Sequence, residues 1–326
     1  MTMETPFSRR DFLRGLAAFA AATGGPRFCA AAPSPKLKFD EHLAVLLSDI
    51  HVNGLDAPDG KPVKPDMRNS LKANVAEILR MDPLPRHVFV FGDIAHLHGR
   101  LADYKRSFPD LKLLVDAGIE LTLGMGNHDH RKAFLEVWPE YAKRSLVPGA
   151  IHTVTHCADY DVIMLDSLDE KDVPDAWNPT NGALSPAAQE WIAAELPKWP
   201  RPFFIGAHHP IWQLKFDKTK KSMEHMIGTF PNCRGYIHGH DHIWKTNVAN
   251  WRNPATVPLL TLPSNGFWGD IGYATLHTIE RNGRKAAQAR LVIKDFVLNG
   301  GNLSSRPAMW DTRIEDVQGA KCTFVL

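Results

Sequence analysis

The chain has 326 residues, 44% of them hydrophobic and 23% charged, with 38 basic side chains against 36 acidic ones. That composition belongs to a globular protein with a full core, and it excludes a disordered, collagen-like or disulfide-scaffold chain. A net charge of only +2 excludes a strong footprint for a nucleic-acid polymer or an anionic membrane.

The first 32 residues differ from the rest. Ser8-Arg9-Arg10-Asp11-Phe12-Leu13 leads into a small-residue stretch from Gly15 to Gly25, then Cys29-Ala30-Ala31-Ala32 before Pro33. A charged start, a mildly apolar run and small side chains for a peptidase resemble a twin-arginine export signal. The alternative is a frayed amphipathic helix in which the arginines are adjacent by chance. The apolar run is too short to span a bilayer, so no stable membrane anchor is expected. On the export reading the precursor engages the twin-arginine machinery and the mature protein is periplasmic or secreted. Losing Arg9, Arg10, Arg14 and Arg27 with Glu4 and Asp11 leaves 34 basic and 34 acidic residues. Cys157, Cys233 and Cys322 would remain, enough for at most one intramolecular disulfide.

From Leu37 onward, apolar runs of strand length alternate with longer periodic stretches, the pattern of an α/β domain. Leu43 to Leu47 reads as a strand before Ser48-Asp49-Ile50-His51, and Asn53 to Asp66 as a loop. A helix follows over Asn69 to Met81. Val88 to Phe91 is a strand before Gly92-Asp93, Leu101 to Ala117 a helix, and Ile119 to Leu123 a strand before Gly124-Met125-Gly126-Asn127-His128-Asp129. Helices over Arg131 to Trp138 and Ser185 to Leu196 come next, the second opening on a Ser-Pro cap. Phe203 to Ala207 precedes His208-His209-Pro210, Trp212 to Ser222 reads as a loop, and Tyr236-Ile237 precedes His238-Gly239-His240-Asp241-His242. The last third turns strand-like at Leu259 to Leu262, Tyr273 to Glu280 and Ala287 to Ile293, with Asn282-Gly283 as a hairpin turn.

Five strand-like runs thus empty into Gly, Asp, Asn or His clusters at their carboxyl ends, the edge where ligands bind in open α/β sheets. Two aspartates, one asparagine and four histidines (Asp49, His51, Asp93, Asn127, His208, His240, His242) form a donor set suited to Fe, Zn or Mn. Seven ligands exceed one tetrahedral site and fit two ions sharing a carboxylate, about 3.5–4 Å apart. In Asp49-Ile50-His51 and His240-Asp241-His242, residues two apart share a face if the backbone is extended. Glycines 92, 126 and 239 allow tight turns beside the metals.

Asp49-x-His51, Gly92-Asp93, Gly126-Asn127-His128-Asp129, His208-x-Pro210 and Gly239-His240-Asp241-His242 together resemble the calcineurin-like metallophosphoesterase signature over roughly residues 40 to 280. The resemblance implies a four-layer α/β/β/α sandwich over residues 33 to 300, after the signal and before a C-terminal extension at 301 to 326. It implies one metal on Asp49, His51, Asp93 and His242, and another on the shared Asp93 with Asn127, His208 and His240. Within the family the pattern is closest to class III cyclic nucleotide phosphodiesterases and glycerophosphodiesterases. It departs from purple acid phosphatases at His51, where those carry glycine, and at His96, where they carry a metal-binding tyrosine.

The implied reaction is attack of a metal-bridging hydroxide on a small phosphodiester. By the same analogy His128 stabilises or protonates the leaving oxygen, and Asp129 orients His128 or a ligating imidazole. A phosphomonoesterase with the same centre is the nearest rival. An inactive metal-containing scaffold is a rival from another class, weakened because no ligand is missing. Around these residues, His209 is expected to point away from the metals and His238 to be buried. His96 and His98 are read either as substrate contacts or as a solvated loop. Lys215, Lys218, Lys220 and Lys221 are either a basic lip or plain surface, and Trp212, Phe216, Phe267 and Trp268 either stack on a base or pack.

Overall fold

The computed structural model describes residues 37–54, 67–171, 178–214, 223–249, 257–266, 269–293 and 319–326. The export-signal residues, Lys215, Phe216, Lys218, Lys220, Lys221, Phe267 and Trp268 lie outside them. In chain order the elements are β1 (Phe39–Leu47), α1 (Met67–Ile78), β2 (Leu84–Val90), α2 (Leu101–Asp116), β3 (Glu120–Leu123), α3 (Arg131–Val137), α4 (Tyr141–Arg144), β4 (Thr153–His156) and β5 (Asp161–Met164). They continue with α5 (Pro186–Glu195), β6 (Phe203–Ala207), α6 (Met223–Ile227), β7 (Cys233–His238), β8 (Lys245–Ala249), β9 (Val257–Thr261), β10 (Gly272–Arg281), β11 (Arg284–Ile293) and β12 (Lys321–Val325).

These strands make two six-stranded sheets, in the orders β12-β11-β10-β1-β2-β3 and β4-β5-β6-β7-β9-β8. The first has a parallel block β1-β2-β3 at one end with antiparallel β10, β11 and β12 beyond β1, and the second a parallel centre β5-β6-β7-β9 flanked by antiparallel β4 and β8. Strand alternation explains how the layers stack. In β1, Ala44 and Leu46 turn to a core shared with Met164, Phe204, Ile237 and Leu260 of the second sheet. The alternate residues Val45 and Leu47 join Leu71, Val75, Ile78, Leu111 and Leu114 of α1 and α2. On the far side, Ile163, Phe203 and Ile205 pack on Ala188 and Ile192 of α5. The order helix, sheet, sheet, helix is the expected four-layer sandwich.

Local sequence accounts for the elements. Met67, Leu71, Val75 and Ile78 recur at helical spacing and are buried. Ser185 accepts from the Ala188 amide at 3.2 Å, with Pro186 in the first turn of α5. Asn282 and Gly283 both take left-handed backbone, as a two-residue turn between β10 and β11 requires. Four strands have no counterpart in the sequence reading: β4, β5, β8 and β12. Of residues 301–326, 301–318 lie outside the described residues, and 321–325 form an edge strand on β11. Its Phe324 is buried against Phe204 between the sheets, a contribution of about 2 kcal/mol. Among the described residues no helix is long and apolar enough to cross a membrane.

Candidate metal centre

All seven candidate ligands sit just beyond strand ends: Asp49 and His51 after β1, Asp93 after β2, Asn127 after β3, His208 after β6, His240 and His242 after β7. Both sheets point these ends the same way, so residues far apart in sequence converge. The backbone there is not the extended one expected from the alternation. Asp49, His51, Asp93, His240 and His242 have φ of +53°, +49°, +49°, +72° and +57°, in the left-handed region that side chains rarely adopt. The chain curls back at each strand end, and left-handed residues turn the donors inward. Such strain persists only where the surroundings hold it, and it gathers at functional sites. Here the Asp49 carboxylate accepts from the His240 amide at 3.1 Å, and the carbonyl of Asp49 accepts from Ser264 Oγ at 3.2 Å. Glycine is needed at 126 and 239 because a Cβ would overlap the Asp93 carboxylate and Ser48 Oγ.

The donors form two groups joined by one oxygen. In the first, His51 Nε2 lies 3.3 Å from His242 Nε2 and 3.6 Å from Asp93 Oδ2, and His242 Nε2 is 3.1 Å from Asp49 Oδ1. In the second, His208 Nε2 is 3.2 Å from the same Asp93 Oδ2 and 3.1 Å from Asn127 Oδ1, with His240 Nδ1 3.0 Å from that amide oxygen. Donors tetrahedrally placed about 2.1 Å from an ion stand about 3.4 Å apart. The observed spacings match.

The hydrogen-bond inventory also calls for a cation. His208 Nδ1–H donates to the Phe91 carbonyl at 2.8 Å, so a neutral His208 turns a lone pair on Nε2 towards two acceptor oxygens. Burial lowers the His208 imidazole, but Asp93 raises it to about 9. Burial would raise Asp49 and Asp93, yet His242 beside the first and His208 beside the second hold both carboxyls below their usual range. His240 is pushed down to about 3, by burial and then by His208. Groups of Asp and His able to share an ion include Asp49/His51/His242 and Asp49/Asp93/His208. The residues fit the metals that their chemistry implies.

A model of the calcineurin-like phosphoesterase family matches residues 43–244. The chain belongs to this family. Among curated relatives it is 28% identical over 214 residues to a protein described as a probable cyclic nucleotide phosphodiesterase from Rhodopseudomonas palustris, covering 64% of this chain and 68% of that one. Among solved structures, the TT1561 protein of Thermus thermophilus aligns with TM-score 0.46 and 15% identity, over 72% of this chain and 94% of its own. The calcineurin-like phosphoesterase YfkN from Bacillus subtilis gives 0.40 and 13%, over 74% and 86%. At such scores neither bears on function. Like the family, the chain is a metal-dependent phosphoester hydrolase.

Neighbouring residues refine or correct the sequence reading of this calcineurin-like site. His128 stands beside the first group, its ring 5.1 Å from that of His51, and its Nδ1–H donates to the Leu97 carbonyl at 2.9 Å. Asp129 does not orient it. The Asp129 carboxylate turns under the loops, accepting from the amides of Ile94, Ala95 and Gly126 and from the Tyr104 hydroxyl. It braces the Asp93 and Asn127 loops, and burial, reinforced by Asp93, raises it to about 6. His96 is half-buried at the site, 6.1 Å from His51 between ring centres, and burial lowers it to about 4. His98 lines a recess of about 1030 Å³ with Arg100, His130, Lys132 and Lys171. His238 is buried as expected, while Trp212 packs edge-on to it and stays 46% exposed. His209 does not point away: its ring lies 4.9 Å from that of His208 and 5.1 Å from that of His240.

Arg131 was not singled out in the sequence. Its guanidinium grips Asp166 through two bonds of 2.6 and 2.8 Å and Glu170 through one of 2.8 Å, tying α3 to the segment after β5. An arginine two residues past Gly-Asn-His-Asp, with acids ahead of the next helix, was the available signal.

Proposed function

We propose that the chain hydrolyses a small phosphodiester at two metal ions, Fe, Mn or Zn, one on Asp49, His51, Asp93 and His242, the other on Asp93, Asn127, His208 and His240. The observation that carries this reading is Asp93 Oδ2, which stands 3.6 Å from His51 Nε2 and 3.2 Å from His208 Nε2 and so faces both groups. When bound, the metals supply Lewis acidity that lowers the pKa of water and neutralises phosphoryl charge.

The remaining work falls to the side chains. The Leu97 carbonyl fixes the His128 ring, whose Nε2 is turned towards the centre, 4.0 Å from Asp93 Oδ2. As an imidazolium, His128 gives the proton on that nitrogen to the departing alkoxide. His96 stands edge-on to His51, with ring centres 6.1 Å apart, near enough to the centre to meet substrate. A diester is favoured over a monoester because the mature chain is neutral, whereas a monoester brings more charge to compensate; the name of the Rhodopseudomonas relative agrees.

The test is a hydrolysis panel on the metal-replete protein with bis- and mono-(p-nitrophenyl) phosphate, cyclic nucleotides and glycerophosphodiesters. Diesters should give the highest kcat/KM. A monoester exceeding every diester replaces this reading with the phosphomonoesterase. We also propose twin-arginine export to the periplasm, supported by Arg9-Arg10 and the weakly apolar run after it. Mature protein still reaching the periplasm after both arginines are changed to lysine would end that proposal.

A further inference from the structure

We propose that Ser264 and Asp270 are positioning residues for the metal centre: the segment they bound clamps the main chain at Asp49 and His242, and so sets the affinity for the ion those two share. The inference rests on the two-ion reading above and goes beyond its ligand set. Both residues lie beyond 43–244, the stretch that the family model covers.

The donors of this ion come from both sheets. Asp49 follows β1 and His242 follows β7, and both take left-handed backbone, which persists only where the surroundings enforce it. Residues 264–270 fall where the chain passes from β9 of the second sheet to β10 of the first. Towards the first sheet, Ser264 Oγ donates to the Asp49 carbonyl at 3.2 Å and the Asn265 amide donates to the Ser48 carbonyl at 2.7 Å. Towards the second, the Asp270 amide donates to the His242 carbonyl at 2.8 Å, and Asp270 Oδ2 accepts from the Trp244 amide at 2.7 Å. The two ends are tied to each other, since the Ser264 amide donates to the Asp270 carbonyl at 2.9 Å. Gly269 lies so close that a Cβ there would stand 2.0 Å from the His242 carbonyl oxygen. Ser264 and Asp270 are both buried, and packing alone gives no reason to bury a carboxylate. The segment thus grips the main chain of two residues whose side chains meet, His242 Nε2 being 3.1 Å from Asp49 Oδ1. Contacts that orient ligands in this way govern affinity, and losing one lowers it by about 10–100-fold.

The test uses the full chain stripped of metal and titrated with Co²⁺, followed by visible absorption and chelator competition. His242→Ala identifies the binding step that belongs to this ion. In Asp270→Ala that step should weaken by about tenfold or more and change its spectrum, while the other step keeps its affinity. Asp270→Asn retains an oxygen for the Trp244 amide and should restore most of the affinity. Wild-type affinities and spectra in Asp270→Ala overturn the proposal. So do equal losses in both steps, which mark a general packing role, and a loss in Asp270→Asn as large as that in Asp270→Ala. If Asp270→Ala does not fold, Ser264→Ala serves: without the hydroxyl the same step should weaken and the other should not. No effect, or an equal effect on both steps, counts against the proposal. A wild-type chain that takes up no Co²⁺ would remove the two-ion reading itself, and this proposal with it.

Discussion

The cluster around Arg131 and the cluster around Asp93 both bury charge beside the same loops, and they meet its cost in opposite ways. Arg131 brings its own counter-charges: Asp166 on one edge of the guanidinium, Glu170 on another, and the Leu168 carbonyl on a remaining N–H. Around Asp93 the partners are of a different kind. Carboxylates, an amide oxygen and imidazole nitrogens face one another without a basic side chain among them. A cluster complete within the chain serves the fold. A cluster of donors with no Lys or Arg among them fits a cation.

The contrast can be broken from either side. Asp93→Ala is expected to remove the donor common to both groups, lowering kcat/KM on the order of a thousandfold or more. Elemental analysis should show both metals lost, and two tightly held ions in that variant would refute the shared carboxylate. Arg131→Met should do the reverse, leaving metal stoichiometry intact but costing about 3–5 kcal/mol in urea unfolding, because Asp166 stays buried without its partner. Burial alone would raise Asp166 and Glu170, yet in the wild type Arg131, with His130 at Glu170, holds both below 3.8 and 4.5, their ordinary values. Their contribution is therefore present above those values and is lost as pH falls through the lower folded ones. In Arg131→Met the burial of Asp166 favours its protonated form, so the stability gap should narrow on acidification; a constant gap would show that Arg131 does not carry the acid limb. The smallest effect concerns His128. His128→Asn should keep both metals and reduce kcat/KM more for alkyl diesters than for p-nitrophenyl ones, by an extra factor of about ten to a hundred. Equal losses would assign His128 to charge stabilisation rather than proton transfer.

The strand ends were legible because Asp, Asn and His clusters recur there, and Asp49, His51, Asp93, Asn127, His208, His240 and His242, singled out that way, come together at the ends of the two sheets. Their backbone was not legible. Asp49-Ile50-His51 has the two-residue spacing of a strand, and only the fold reveals that it lies past the end of β1 with left-handed turns at both aspartate and histidine. Asp129 differs from what the family resemblance implied, an orienting partner for His128 or a ligating imidazole, because its carboxylate instead takes the amides of Ile94, Ala95 and Gly126 and the Tyr104 hydroxyl. Strands β4 and β5 were hidden by length, four residues each, and by the mixed polarity of Thr153–His156. The helix stripes and the Asn282-Gly283 hairpin are local signals, and they survived intact.

Strand β1 sits between β2 and β10, so the first strand made during synthesis gains its second neighbour only when residues 272–281 have emerged. Pairings of such long sequence separation are entropically slow to form, and until they do a nascent chain exposes the flank of β1. The ligands follow the same schedule, since Asp49 must wait for His240 and His242. No complete donor set thus exists until residues 240–242 have been made, so the first sheet alone cannot hold the metals.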